Sequence, residues 1–200
     1  MTVRFGYPVV LDLHDVPVLV VGAGPVAARK VAGLAAAGAV VHVVAPKLSD
    51  EMDEAVAAGH VAALYSRPYV RADLDGVRLV VTATGLAGVD AQVAGDATAA
   101  GIFVNAADRP ADCSFILPAV ARNGPLTVAV STDGTSPALS QRLRDHAGAL
   151  LTDDVVALAE RLLARRHEIQ TAGGSTEDHH AELDADIDAV LGPKPSAAPG

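Results

Sequence analysis

The sequence predicts an α/β protein: a Rossmann-type parallel sheet, then a small α+β region and C-terminal helices. Three observations predict it. Val18-Leu-Val-Val21 is an unbroken apolar run, as in strands buried on both faces, and it leads directly into Gly22-Ala-Gly-Pro-Val-Ala27. Further β-branched runs then alternate with stretches of helical length that end in glycine, the pattern of right-handed βαβ units. Finally, 50% of the 200 residues are hydrophobic but only 3% are aromatic, which suits a core filled by small side chains.

Tyr7 to Leu13 reads as an extended lead-in to the first strand. After the glycine loop, Ala28 to Ala37 is helical and Gly38 ends it, as glycine does at helix C-termini. Val40 to Val44 is a second strand. Asp50 to Ala58 is a helix stopped by Gly59, and a third strand is expected near Val61 to Tyr65. Val77 to Ala83 gives a fourth strand, Val89 to Ala100 a helix closed by Gly101, and Ile102 to Ala106 a fifth strand. Beyond Asp108 the pattern changes. Ser114 to Leu117 and Leu126 to Ser131 look like an added pair of strands, separated by a stretch holding Asn123-Gly-Pro125. Helices are expected over Pro137 to Leu151 and Asp153 to Gln170, and the Gly, Ser, Asp, Ala and Pro content after Thr171 predicts disorder. The expected domains are therefore 1–112 for dinucleotide binding, 113–150 for dimerisation and the substrate site, 151–172 as a helical segment, and 173–200 as a disordered acidic tail.

Composition excludes several classes of function. A formal charge of −9 argues against nucleic acid, because phosphate binding needs a basic face. Six acids in the tail face Lys194 alone, so five of those nine net charges lie there and the body has room for a local basic site. The single cysteine, Cys113, rules out a disulfide framework and fits a reducing compartment. No apolar stretch nears the roughly 20 residues of a membrane span, and MTVRFGYPVV lacks the features of a signal peptide. A cytoplasmic protein with no membrane partner is the expectation.

Gly22-x-Gly24-x-x-Ala27 sits between a strand and a helix, where a dinucleotide fingerprint belongs. The first glycine makes the turn, and the second lets backbone approach a pyrophosphate at the helix N-terminus. The third position needs only a small residue, which Ala27 supplies. The acidic residue expected about 20 positions on, to bind ribose, is missing, since the second strand ends in Ala45-Pro46-Lys47. Lys47 would suit a 2′-phosphate, so this fingerprint alone leaves the choice of NAD or NADP open.

Four segments together resemble the precorrin-2 dehydrogenase/sirohydrochlorin ferrochelatase family, in the form of its standalone members: Tyr7 to Leu13 with Val18 to Lys30; Val81-Thr-Ala-Thr84; Val104 to Asp108 with Cys113 to Ala119; and Leu126 to Leu139 with Arg142-Leu-Arg144. The resemblance runs from about Tyr7 to Leu151. Asp133 and Asp90 depart from it, standing where the family often has a small residue and an asparagine, and both are read as lying outside the core of the motifs.

The resemblance implies a homodimeric enzyme that passes hydride from precorrin-2 to NAD⁺ to give sirohydrochlorin. Ferrochelation, with Fe²⁺ as substrate, is a weaker implication. It places NAD against Gly22, Gly24, Pro25 and Val26, with Pro46, Lys47, Ala83 and Thr84 nearby. Asp108 matches the family's catalytic aspartate. Read from residues alone, Asp108 is a turn residue before Arg109-Pro110. The carboxylate-rich tetrapyrrole calls for cations and hydroxyls, for which Arg109, Ser131, Thr132, Ser136 and Arg142 are the candidates, with Arg29, Lys30 and Arg144 in reserve. Ser136 also fits as the N-cap before Pro137. His14 reads as a surface turn residue, Cys113 as a buried thiol, and His179-His180 as lacking a ligand cage, so no metal site is expected. The rival of another class is a non-catalytic NAD-sensing module. A third reading is an unrelated dehydrogenase acting on a small acid.

Overall fold

In the computed structural model, which describes residues 4–173 and 180–193, the chain forms two units, one ending at Leu117 and one starting at Pro118. The first unit holds a five-stranded sheet: β1 (Pro17–Val21), β2 (Val40–Val44), β3 (Ala63–Tyr65), β4 (Leu79–Thr82) and β5 (Phe103–Ala106). All pairings are parallel and the spatial order is β3-β2-β1-β4-β5. From β1 the chain builds outward through β2 and β3, then returns to place β4 and β5 on the other side. The order therefore reverses between β1 and β4, which opens a crevice at the carboxyl ends of those two strands.

Strand residues alternate in direction, so the run of valines serves both faces. Val18, Val20, Val41, Val43 and Val81 share one buried cluster with Ala27, Ala28 and Val31 of α1 (Pro25–Ala36) and Met52 of α2 (Asp50–Ala57). Leu19, Val21, Val44, Val80 and Val104 pack on the other face with Val93, Ala94 and Ala97 of α3 (Ala87–Ala99). A sheet covered on both faces explains the unbroken apolar strands. Alanines at the helix–sheet contacts let the helices lie close, and each fully buried valine contributes roughly 1.5–3 kcal/mol of burial free energy.

The second unit begins with an antiparallel hairpin, β6 (Ala119–Asn123) and β7 (Leu126–Val130), in the register Asn123↔Leu126. It continues with α4 (Pro137–Gly148), α5 (Asp153–Thr171) and α6 (His180–Leu191). Two expectations need correction. The strand expected at Ser114 to Leu117 lies instead at Ala119–Asn123, because the two-residue loop Gly124-Pro125 fixes where pairing starts. Gly124, at φ 52, takes the first loop position, which such turns reserve for glycine. The tail expected to be disordered contains α6, whose Leu183, Ile187 and Val190 recur at helical spacing among its acids. The rest of that tail, 174–179 and 194–200, lies outside the described residues.

Candidate active site

Two glycines shape the crevice in different ways. Gly22 follows β1 at φ 108, its N–H bonded to the Val44 carbonyl at 2.9 Å. A Cβ added there would stand 2.5 Å from the Ala83 carbonyl oxygen, so glycine is required for β1 to pass the end of β4. Gly24 is the N-cap of α1 with ordinary extended backbone, and nothing lies within 4 Å of where its Cβ would be. Neither conformation nor packing demands glycine at that position, and the space above it is open. The first turn of α1 has no acidic residue and no side-chain cap. Pro25, exposed at the first helical position, has no N–H to leave unpaired, while the amides behind it face the crevice end of the helix. This cradle fits an anionic diphosphate.

Around it, Pro46 and Lys47 are exposed just beyond β2, and the Ser49 amide donates to the Ala23 carbonyl at 2.9 Å, tying that connection to the glycine loop. Ser49 also caps α2, accepting from the Met52 amide. No carboxylate ends β2, so Lys47 is the charged group at the position where ribose is normally held.

Beyond β4, Ala83 is buried and Thr84 half-buried. Asp90, in the first turn of α3 and only 4% exposed, holds this stretch in place. Its Oδ1 accepts from the hydroxyl of Thr82, the hydroxyl of Thr84 at 2.9 Å and the amide of Thr84 at 3.1 Å. This corrects the reading that Asp90 lies apart from the motifs, since it is their anchor. The helix N-terminus and three donors together compensate burial of the carboxylate.

Asp108 is exposed and follows β5 at φ 58, the left-handed conformation that aspartate tolerates better than most side chains. The preceding amide, Ala107, donates to the Thr82 carbonyl at 2.8 Å, so the loop leaves the sheet beside the end of β4. A short 3-10 turn, Pro110–Asp112, returns the chain to Cys113, whose buried thiol clasps the base of the loop. Its Sγ accepts from the Ala106 amide at 3.2 Å and lies 3.3 Å from the Ala106 carbonyl and 3.4 Å from that of Arg109. Cys113 is thus structural, as expected. One residue whose side chain the sequence left without a role completes the arrangement. Asn105, at 6% exposure, accepts from Lys30 Nζ at 3.1 Å and donates to the Phe115 carbonyl at 3.1 Å. A polar residue inside an otherwise apolar strand was the available signal.

The expected substrate residues divide. Arg109 is engaged, its Nε 2.5 Å from an Asp112 carboxylate oxygen. Ser131, Thr132, Ser136 and Arg142 lie in the second unit. There Ser136 caps α4, accepting from the Leu139 amide, and the Thr132 hydroxyl bonds Ser140 at 2.8 Å and accepts from the Ser136 amide at 3.3 Å. The exposed Ser131 hydroxyl accepts from the Asp133 amide, and Asp133 takes φ 50, a left-handed conformation that favours a small residue. Arg142 is exposed on α4 with no acidic partner among the described residues. Outside the site, the exposed His14 imidazole pairs with Asp15 at 3.0 Å. His179 and the His180 side chain lie outside the described residues. Among the described residues, no group of three or more His, Cys, Asp or Glu could hold a metal ion, and no helix is long and apolar enough to cross a membrane.

The chain is similar to several known proteins. A family model described as putative NAD(P)-binding matches residues 9–119, and one described as sirohaem biosynthesis protein central matches residues 123–146. The chain is 42% identical over 137 residues to a sirohaem synthase of Saccharophagus degradans, covering 68% of this chain and 30% of that one. It is 44% identical over 137 residues to a sirohaem synthase of Pseudomonas fluorescens, covering 68% and 29%. The chain thus spans less than a third of the length of these relatives. The solved structure of SirC, precorrin-2 dehydrogenase, superposes with a TM-score of 0.72 at 31% identity, covering 91% of this chain and 89% of that one. On the NAD(P)-binding match over more than half its length and this likeness across nearly all of a solved relative, the chain belongs to the NAD(P)-binding family of sirohaem synthases and precorrin-2 dehydrogenase.

Proposed function

We propose that this chain catalyses the NAD-dependent dehydrogenation of precorrin-2 to sirohydrochlorin, with Asp108 as the base. The observation that carries this reading is the crevice between β1 and β4. There an open glycine cradle stands beside a loop, clasped at its base, that presents an exposed carboxylate. The names of the relatives, sirohaem synthase and precorrin-2 dehydrogenase, supply the substrate class.

The reaction removes a hydride and a proton from the reduced macrocycle. NAD⁺, when bound, supplies the hydride acceptor and leaves as NADH. The chain's own residues do the rest. Gly24 and the first amides of α1 receive the diphosphate, and Pro46 and Lys47 border the ribose side. Ala83 and Thr84, held by Asp90, form the wall at the end of β4. Asp108 accepts the proton that leaves with the hydride. Arg142, with the Ser131 hydroxyl nearby in sequence, is the candidate anchor for substrate carboxylates in the second unit. Iron insertion into the product would take Fe²⁺ as substrate, with Asp108 accepting the pyrrole protons. A homodimer is part of the proposal, formed through the unit that begins at Pro118.

The test is incubation with anaerobically generated precorrin-2 and NAD⁺, following the sirohydrochlorin absorbance, with Fe²⁺ added afterwards. Asp108→Asn is expected to bind NAD⁺ as before and to lose on the order of 10²- to 10⁴-fold in kcat. Wild-type turnover by that variant would remove Asp108 from the mechanism. NAD⁺ binding with no turnover by the unaltered protein would favour the sensing module instead.

A further inference from the structure

Lys30 lies in α1, one turn beyond the residues that face the crevice, and its side chain is half-buried. Among the described residues it makes no ion pair at hydrogen-bonding range, and its partner is a neutral amide oxygen, Oδ1 of Asn105, at 3.1 Å. Burial is the main influence on the ammonium and pushes its pKa below the ordinary lysine value. Cys113 and Asp108 oppose that shift, and Arg29 adds to it. A half-buried cation is costly unless hydrogen bonds compensate it, and here the bond to Asn105 contributes that compensation.

What it holds is the foot of the Asp108 loop. The Asn105 carboxamide is fixed at both ends: its oxygen faces Lys30, while its nitrogen donates to the Phe115 carbonyl and lies 3.7 Å from Cys113 Sγ. Cys113 in turn grips both polar groups of Ala106 and the Arg109 carbonyl. Residues 106–113 therefore leave and rejoin one anchored point, with Asp108 between. Among the described residues, the side chain bonded to that point from α1, the helix proposed to receive the diphosphate, is that of Lys30.

We propose that Lys30 is a positioning residue for the dehydrogenation: through Asn105 it ties the dinucleotide-binding helix to the loop that carries Asp108, setting the base in register with the cofactor. This rests on the reading of Asp108 as the base. A small displacement between reacting groups is enough to cost up to about 10²-fold in rate, so a link between cofactor helix and base loop acts on kcat rather than on binding.

The experiment combines kinetics with NMR. Lys30→Met is expected to bind NAD⁺ within about two-fold of the original protein, while kcat falls on the order of 10- to 100-fold and Lys30→Arg recovers part of the loss. Lys30→Met combined with Asn105→Ala should be no slower than the slower single variant, because both break one link. Unchanged kcat in Lys30→Met, or full additivity with Asn105→Ala, would overturn the proposal. If Lys30→Met does not fold, the unaltered protein decides: the Asn105 side-chain amide resonances must shift together with the Lys30 Cε signal as the Lys30 ammonium titrates, and their failure to move overturns the link. That titration needs no turnover. Loss of the Asp108 reading, seen as normal turnover in Asp108→Asn, is therefore distinguishable from loss of the Lys30 link.

Discussion

Gly22 and Gly24 stand two residues apart and should fail in different ways. At Gly22 a methyl group meets the Ala83 carbonyl and the backbone is left-handed, so Gly22→Ala must shift β4 or the loop. At Gly24 there is open space and permissive backbone, so Gly24→Ala should unfold at nearly the same urea concentration as the original protein. Its NAD⁺ affinity, measured by calorimetry, should nonetheless drop at least about ten-fold, because the methyl group occupies the approach to the diphosphate. Equal loss of stability in the two variants would remove the distinction. The ion pair of Arg67 with Asp73 is a separate matter at this scale. Hydrogen bonding to Arg67 holds the Asp73 carboxyl below the usual carboxylate range, against the opposing effect of burial. A depressed pKa stabilises above the unfolded value of about 3.9, and the benefit is lost as pH falls through the folded value. Asp73→Asn should therefore be less stable at neutral pH, with the gap closing in acid denaturation profiles.

At the scale of elements, the sheet depends on helices that lie flat against it. Met52 is fully buried between α2 and the valines of β1 and β2. Met52→Ala should cost about 2–5 kcal/mol in urea unfolding, since the surrounding valines cannot collapse into the space. A much smaller loss would mean that α2 moves in to fill it. The hairpin shows how local chemistry sets register. Gly124-Pro125 decides where β6 and β7 pair, and apolar content alone put the first strand several residues too early. Ser114 bonds the Val104 backbone instead, extending the edge of β5 without joining a ladder.

At the scale of the whole molecule, α4 presents Leu139 and Leu143 one turn apart, 48% and 46% exposed. Adjacent exposed leucines on one helix face suit burial against a second copy. For the homodimer proposed above, Leu143→Asp is expected to shift sedimentation velocity from dimer to monomer, while leaving NAD⁺ affinity within about two-fold, since the glycine cradle belongs to the first unit. A variant that stays dimeric would place the interface elsewhere.

The sequence by itself determined the alternation of buried strands and glycine-ended helices, the place of the fingerprint and the segments that mark the family, because each rests on short-range periodicity or a contiguous motif. Asp108 was singled out as the proposed base only through those segments, since an aspartate before Arg-Pro is otherwise a turn residue. The tertiary structure decided the rest: that Gly22 is imposed by Ala83, that Asp90 anchors Thr82 and Thr84, that Arg109 is taken by Asp112, and that Lys30 reaches Asn105. Of these, the Lys30–Asn105 link joins residues 75 positions apart. Only the parallel crossover topology brings such distant side chains within bonding distance, and no local pattern in a single chain encodes that meeting.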